Sequence, residues 1–321
     1  MSAKIALPAP DALAAVVARL DPAARLLDHR QLDGGVSATM IALDLERGDG
    51  SNDTVILRMP GEENLKADPD STAHEYRLLE LLAERGIPAP PPLMLDTTCS
   101  ILPGAYLVLT WLEGRVAFAV RDREISARAM ADLLLRIHAI PAGPELSFLA
   151  QQGHPLDALA RAVDPGHPYA LEDASRAGLE TLRPLVVCNA PMLLHGDFWP
   201  GNMLWSKREL VAAIDWEDAM IGDPLADLAI ARLEIAIFWG LGAMNAFTRH
   251  YLEQSMIDAS ALPLWDLVAA RRAPADYTDW DQGWETLGRP DMSARRMTDG
   301  RQRFADAALK GIGAYRQAAR A

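Results

Sequence analysis

Two stretches, LLHGDFWPGNMLW (193–205) and AAIDWEDAMIGDPLADLA (212–229), hold the densest polar cluster in an apolar setting, and their spacing decides how the chain folds around it. Asp197 follows His195 by two positions and precedes Asn202 by five, while Gly196, Pro200 and Gly201 force a tight loop between two short apolar runs. Asp215 stands thirteen residues beyond Asn202, at the end of the next run. A hairpin turning around 206–209 brings Asn202 and Asp215 to one end, so that an amide oxygen and a carboxylate face a common point with Asp197 on the loop above. Hard oxygen ligands in that number suit Mg²⁺, which keeps several waters and completes its shell with phosphates. A carboxylate that does not ligate the metal accepts a proton from an alcohol.

Working toward the N-terminus, the pattern changes from helical to extended. Apolar residues at helical spacing predict a short helix over 11–20, ended by Asp21-Pro22. Two β-rich runs, 36–45 and 54–59, flank a Gly- and Asp-rich segment at 48–53 and predict a hairpin. Residues 71–85 put Tyr76, Leu78, Leu79, Leu81 and Leu82 on a helical stripe that stops at Gly86. The proline run 88–92 is a rigid connector, and 105–110 is a buried strand closed by Glu113-Gly114. Toward the C-terminus helical periodicity dominates, at 125–139, more weakly at 156–187, at 224–246 and in terminal helices, interrupted by brief apolar runs at 192–195, 202–205 and 210–215. The fold class expected is α+β, with two lobes: a small antiparallel sheet plus helix over 1–111 and a larger, mostly helical lobe over 112–321.

Composition narrows the function. The 321 residues hold 31 Lys plus Arg against 44 Asp plus Glu, a net charge of −13. That balance argues against a nucleic-acid partner, because binding a phosphate backbone needs a basic face that releases counterions. Cys99 and Cys188 are too few for a disulfide framework and lack C-x-x-C spacing. The first 22 residues lack the pattern of a signal peptide, and no run of about eighteen apolar residues predicts a membrane span. A cytoplasmic location, no membrane partner, and a monomer or homodimer are the expectations.

The HGDFWPGN loop resembles the H-G-D-x-x-x-x-N loop of the aminoglycoside phosphotransferase and choline kinase-like enzymes, relatives of the protein kinases, and IDWEDAMIGDPLADLA resembles their second motif. The resemblance runs from about Leu32 to about Glu234. It implies a protein-kinase-like bilobal fold and transfer of the γ-phosphoryl of ATP or GTP to a hydroxyl of a small molecule with Mg²⁺ as cofactor. By position it implies that Asp197 is the catalytic base and that Asn202 and Asp215 hold the metal. It further implies that His195 braces its loop. Asp223 with Pro224 reads as a helix start, and Asp227 as structural.

In the N-terminal lobe, Arg58 resembles the kinase strand lysine that contacts the donor phosphates, with a planar fork in place of a point charge. Glu75 resembles the acid that pairs with that cation, although Thr72-x-x-Glu75 also reads as a capping box. Gly34 and Gly35 fit a phosphate-covering hairpin to which Ser37 adds a hydroxyl. The adenine base is expected against the backbone from Thr110 to Leu112, with Leu109 and Ile214 as apolar floor and ceiling. No G-K-[ST] phosphate loop is present, and the missing A-P-E signature and the short interval between Asp215 and Asp223 disfavour a protein kinase.

The acceptor is the least determined part. The acidic residues of the second lobe, among them Asp157, Glu172, Glu234, Asp266 and Asp279, suit an aminoglycoside and a role in antibiotic resistance. Trp239, Trp265, Trp280 and Trp284 suit a macrolide sugar or another flat alcohol equally well. Choline- or sugar-like metabolite kinases, and a catalytically silent nucleotide-binding module, are the alternatives.

Overall fold

Alternation along the strand Asn52–Pro60 organises the first part of the structure, a computed structural model that describes residues 7–32, 38–161, 179–272, 277, 284–285 and 287–318. The chain divides into two compact units, Met1–Gly114 with Val211–Glu217, and Arg115–Leu210 with Asp218–Ala321. The segment carrying Asp215 is thus counted with the N-terminal unit. The first boundary falls at Gly114, where the sequence pattern places it at 111.

In the first unit, β1 (Arg25–Gln31), β2 (Ala38–Glu46), β3 (Asn52–Pro60), β4 (Pro92–Asp96) and β5 (Tyr106–Thr110) form one antiparallel sheet in the order β1-β2-β3-β5-β4. On β3, Val55, Leu57 and Met59 join Ile41, Leu43, Leu45 and Val108 in a core closed by Leu13, Val16 and Val17 of α1 (Pro10–Leu20). Each such side chain contributes about 1.5–3 kcal/mol by leaving water. The period of two sends Arg58 to the opposite face from these residues. In register, Arg58 lies between Met40 on β2 and Leu107 on β5.

A short helix α2 (Glu62–Ala67) leads to α3 (Ser71–Glu84), which buries Leu78, Leu79 and Leu82. Helix α3 ends where Gly86 takes φ +66° and the N–H groups of Gly86 and Ile87 donate to Ala83 O and Leu82 O, a Schellman closure that needs a left-handed residue. Asp70 occupies the N-cap position, so Thr72 lies inside the first turn rather than capping it. The run 211–217 is fastened to this unit by Ala213 N–H donating to Pro88 O and is braced internally by Trp216 Nε1–H donating to Ala213 O.

In the second unit, α4 (Arg123–His138) starts at Asp122, whose carboxylate accepts from the N–H groups of Glu124 and Ile125. Strand β6 (Arg115–Val116) precedes it, and β7 (Ala150–Gln151), α5 (Pro155–Ala160), β8 (Met192–Leu194), β9 (Met203–Ser206) and β11 (Met220–Gly222) follow, while β10 (Glu209–Ala213) runs from this unit into the segment 211–217 of the first. Strand β11 pairs parallel with β7 and antiparallel with β8, and β6 pairs with β9. Four helices follow, α6 (Leu225–Phe238), α7 (Leu241–Gln254), α8 (Leu262–Arg272) and α9 (Ala294–Ala318). The single helix expected over 224–246 is two, because Gly240 at φ +93° ends α6 and Trp239 and Gly240 both donate to Ile235 O. Helix α6 is buried almost all round, which makes it the central support of this unit. Among the described residues no helix is long and apolar enough to cross a membrane.

Candidate active site

The loop after β8 is shaped from beneath by one carboxylate. Asp227 on α6 is fully buried and accepts hydrogen bonds from His195 N–H at 2.7 Å and Gly196 N–H at 2.9 Å. His138 of α4 reaches the same carboxylate through Nε2 at 3.3 Å, and its Nδ1 lies 2.6 Å from the Tyr251 hydroxyl on α7. Burial alone would raise the pKa of Asp227, but the His138 bond and the backbone donors hold it below the usual carboxylate value. Asp227, read from sequence as merely structural, is therefore the anchor of the loop.

Two glycines give the loop its path. Gly196 has φ +82°, and a Cβ there would run into the Asp218 carbonyl. A Cβ on Gly201 would strike the Trp199 ring. His195 is fully buried, and its Nδ1 accepts from Asp197 N–H at 3.3 Å. Asn202, in the short 3₁₀ turn Pro200–Asn202, donates through Nδ2 to both Asp197 O and Asp197 Oδ2 at 2.9 Å. Both bonds use the amide nitrogen, so Oδ1 of Asn202 remains an oxygen available to a ligand.

Arg272, at the end of α8, was not foreseen from sequence. Its Nη1 donates to Gly196 O at 2.5 Å and lies 3.4 Å from Asp197 Oδ1, and its Nη2 donates to Asp218 Oδ2 at 2.7 Å. Asp197 also stands on the wall of a cavity of about 230 Å³ lined by Trp199, Ile230, Leu233, Glu234, Phe238 and Tyr277, among others. Trp199 packs against Phe118 and Phe238 at centroid distances of 5.7 and 5.8 Å, which fixes that wall.

The other expected residues lie in the first unit. Arg58 is 5% exposed and donates from Nε to Glu75 Oε2 at 2.8 Å and from Nη2 to Glu217 Oε2 at 2.6 Å. Asp215 Oδ1 is 3.5 Å from Nη2, and Asn64 Nδ2 donates to Glu217 Oε2 at 2.8 Å. Glu75 thus faces the strand cation rather than its own helix end. Burial opposes the charge on Arg58, yet the three carboxylates keep its guanidinium firmly protonated. Asp215 takes the left-handed conformation, φ +64°, a strained choice for a residue other than Gly and one that marks the position as aimed by its surroundings. Glu217, two residues past Asp215, is a second unforeseen member.

The structure therefore brings Asp197 and Asn202 together in one unit, and Arg58, Glu75 and Asp215 together in the other. Gly34, Gly35 and Ser37 lie outside the described residues. Thr110, at the end of β5, gives its N–H to Pro91 O. Among the described residues no three His, Cys, Asp or Glu side chains form a metal cluster.

Residues 28–269 match the sequence profile of the APH family, described as the phosphotransferase enzyme family. Acyl-CoA dehydrogenase family member 10 of Mus musculus is 29% identical over 196 residues, which cover 56% of this chain and 18% of that protein. Streptomycin 6-kinase of Streptomyces griseus is 30% identical over 211 residues, 64% of each chain. The chain thus spans less than a fifth of the length of the first relative and somewhat under two thirds of the second. Among solved structures, the GDP complex of wild-type aminoglycoside 2'-phosphotransferase-IIIa has a TM-score of 0.61 at 17% identity, covering 92% of this chain and 97% of that one. Choline kinase LicA from Streptococcus pneumoniae has a TM-score of 0.60 at 19% identity, covering 95% and 99%. These likenesses establish the kinase-like α+β fold, and with the profile match over three quarters of its length the chain belongs to the phosphotransferase enzyme family.

Proposed function

We propose that the protein is a Mg²⁺-dependent O-phosphotransferase that moves the γ-phosphoryl of ATP or GTP to a hydroxyl of a small molecule. The observation that carries this reading is the position of Asp197, fixed by Asn202 and Asp227-anchored backbone and open to an adjoining cavity. Asp197 accepts the acceptor's hydroxyl proton as the oxygen–phosphorus bond forms and the bond from the γ-phosphorus to the bridging oxygen breaks, releasing the nucleoside diphosphate. Arg58 supplies positive charge to the donor phosphates, and Leu112 and its neighbours meet the base. Asn202 and Asp215, both hard oxygen donors, would hold Mg²⁺, which when bound neutralises charge on the phosphates. Streptomycin 6-kinase and the GDP complex among the similar proteins support a nucleoside triphosphate donor and a small acceptor. Cys99 and Cys188 are exposed free thiols, which suits a reducing, cytoplasmic setting.

The test is Mg²⁺-dependent nucleotide consumption across aminoglycosides, macrolides, choline-like alcohols and sugars, in wild type and Asp197→Ala. The variant is expected to bind Mg·nucleotide normally and to transfer at least about a hundredfold more slowly. Equal rates in the two proteins would remove Asp197 from its role.

A further inference from the structure

Helix α6 carries two acids seven residues apart, Asp227 and Glu234, and seven residues are two turns, so both point from one face about 10 Å apart along the axis. The first anchors the catalytic loop. The second stands on the wall of the cavity that Asp197 also lines.

Glu234 differs from the other acids around that loop. Asp197 is bonded to Asn202, Asp218 to Arg272, Asp227 to two backbone N–H groups, and Asp266 to Arg232 at 3.0 Å through both oxygens. Glu234 makes no hydrogen bond or salt bridge with any described residue, although it is half-buried among Ile230, Leu233, Ile237 and Phe238. Its carboxyl opens on the cavity with no protein partner, so an acceptor that displaces the water there must supply one or leave the group unpaired, which is costly.

The rest of the lining decides what that ligand is. Among the described residues, only Asp197, Glu234 and Arg272 bring charge to the cavity, and the remaining walls are aliphatic or aromatic. Arg272 offsets Asp197. A polycation laid against those walls would have most of its ammonium groups stripped of water and unpaired. At about 230 Å³ the space also falls below the range of about 300–1,000 Å³ usual for drug-sized ligands.

We propose that the acceptor is a compact, mostly apolar alcohol that carries, besides the hydroxyl phosphorylated at Asp197, a second uncharged oxygen (carbonyl, ether or hydroxyl) hydrogen-bonded by Glu234. This rests on the phosphotransferase reading and names its substrate class. The state of Glu234 fits: burial, and then the charge of Asp197, push its pKa up to about 8 against the pull of Arg272 on α8 and Arg301 on α9. It therefore carries a proton at neutral pH and donates it to an oxygen. Arg301 is fully buried and sits with its guanidinium 5.1 Å from the Tyr277 ring, outside the cavity lining.

The experiment measures kcat/KM with Mg·ATP for five probes: cyclohexanol, trans-cyclohexane-1,2-diol, 3,3-dimethylbutan-1-ol, its cationic isostere choline, and streptomycin as the polycation. The wild type is expected to prefer the diol to cyclohexanol about tenfold, the worth of one good hydrogen bond, and 3,3-dimethylbutan-1-ol to choline. Glu234→Ala abolishes the diol preference, whereas Glu234→Gln, which still donates, keeps it. Raising the pH past 8 erodes it in the wild type but not in Glu234→Gln. Preference for choline or streptomycin, turnover of none of the compact alcohols, or a diol preference intact in Glu234→Ala would overturn the proposal. Acceptor-free hydrolysis in the same samples separates the two readings. If it is present and lost in Asp215→Ala, phosphotransfer stands and only the acceptor class falls; if the wild type lacks it, both fall.

Discussion

Asp227 and His195, thirty-two residues apart, are joined by a 2.7 Å hydrogen bond from the backbone N–H of one to the buried carboxylate of the other. A side chain here does what a strand partner does elsewhere, satisfying consecutive N–H groups that the turn leaves orphaned. The loop that carries Asp197 is thereby tied to a helix most of whose residues are buried.

Replacing Asp227 by Ala strands the N–H groups of His195 and Gly196 and removes a partner of His138. At about 1–3 kcal/mol per unsatisfied buried group, the loss is on the order of 3 kcal/mol. The thermal midpoint should drop by about 5–10 °C, and phosphotransfer by more than a hundredfold, since Asp197 hangs on the same loop. Calorimetry with single-turnover kinetics checks both; Asp227→Asn, which keeps one acceptor oxygen, should fall between.

Gly196→Ala separates backbone geometry from hydrogen bonding. The new Cβ meets the Asp218 carbonyl at a residue with φ +82°, so the loop must move. Circular dichroism should show the wild-type fold with a lower midpoint, while turnover falls at least about a hundredfold. Near-normal turnover would show that Asp197 tolerates displacement of its loop.

Arg58→Lys tests the fork. Arg58 reaches Glu75 and Glu217 from two different nitrogens, Nε and Nη2, which one ammonium cannot reproduce in the same geometry. The KM for Mg·ATP should rise about tenfold with a smaller change in kcat. Arg58→Ala leaves Glu75, Asp215 and Glu217 facing one another and should destabilise the first unit by about 3–5 kcal/mol, read by chemical denaturation.

How much of this was legible in sequence follows from what each residue depends on. Asp197 with Asn202, and Arg58 with Glu75, are near in sequence or sit on periodic elements whose faces the pattern reveals. Arg272 and Glu234 acquire their roles from packing, Arg272 lying 76 residues from the Gly196 carbonyl it holds, and no local pattern distinguishes either from an ordinary surface charge. Strand β1 escaped for a related reason. Its residues RLLDHRQ are mostly exposed, and its charged side chains pair across to β2, Arg25 with Glu46 and Arg30 with Asp44, so alternation of apolar residues is absent. The helix break at Gly240 was visible as a glycine, but the apolar run on either side concealed it.

Glu234 yields a prediction about stability that needs no acceptor. Its ordinary pKa is 4.5 and its folded value is about 8, raised by burial and then by Asp197. Below about pH 4.5 the group is protonated in both folded and unfolded chains and contributes no penalty. Between about 4.5 and 8 the unfolded chain releases the proton while the folded one keeps it, so stability declines as pH rises, and above about 8 the penalty is constant. Because the carboxyl faces an open cavity and is partly screened, the full penalty is about 2 kcal/mol rather than the whole shift. Glu234→Gln cannot titrate, so its midpoint should match the wild type near pH 4.5, exceed it increasingly up to pH 8, and stay about 5 °C higher beyond that. Scanning calorimetry of both proteins from pH 4.5 to 9 measures the difference directly, and a difference that does not change with pH would mean that Glu234 ionises as an ordinary surface acid.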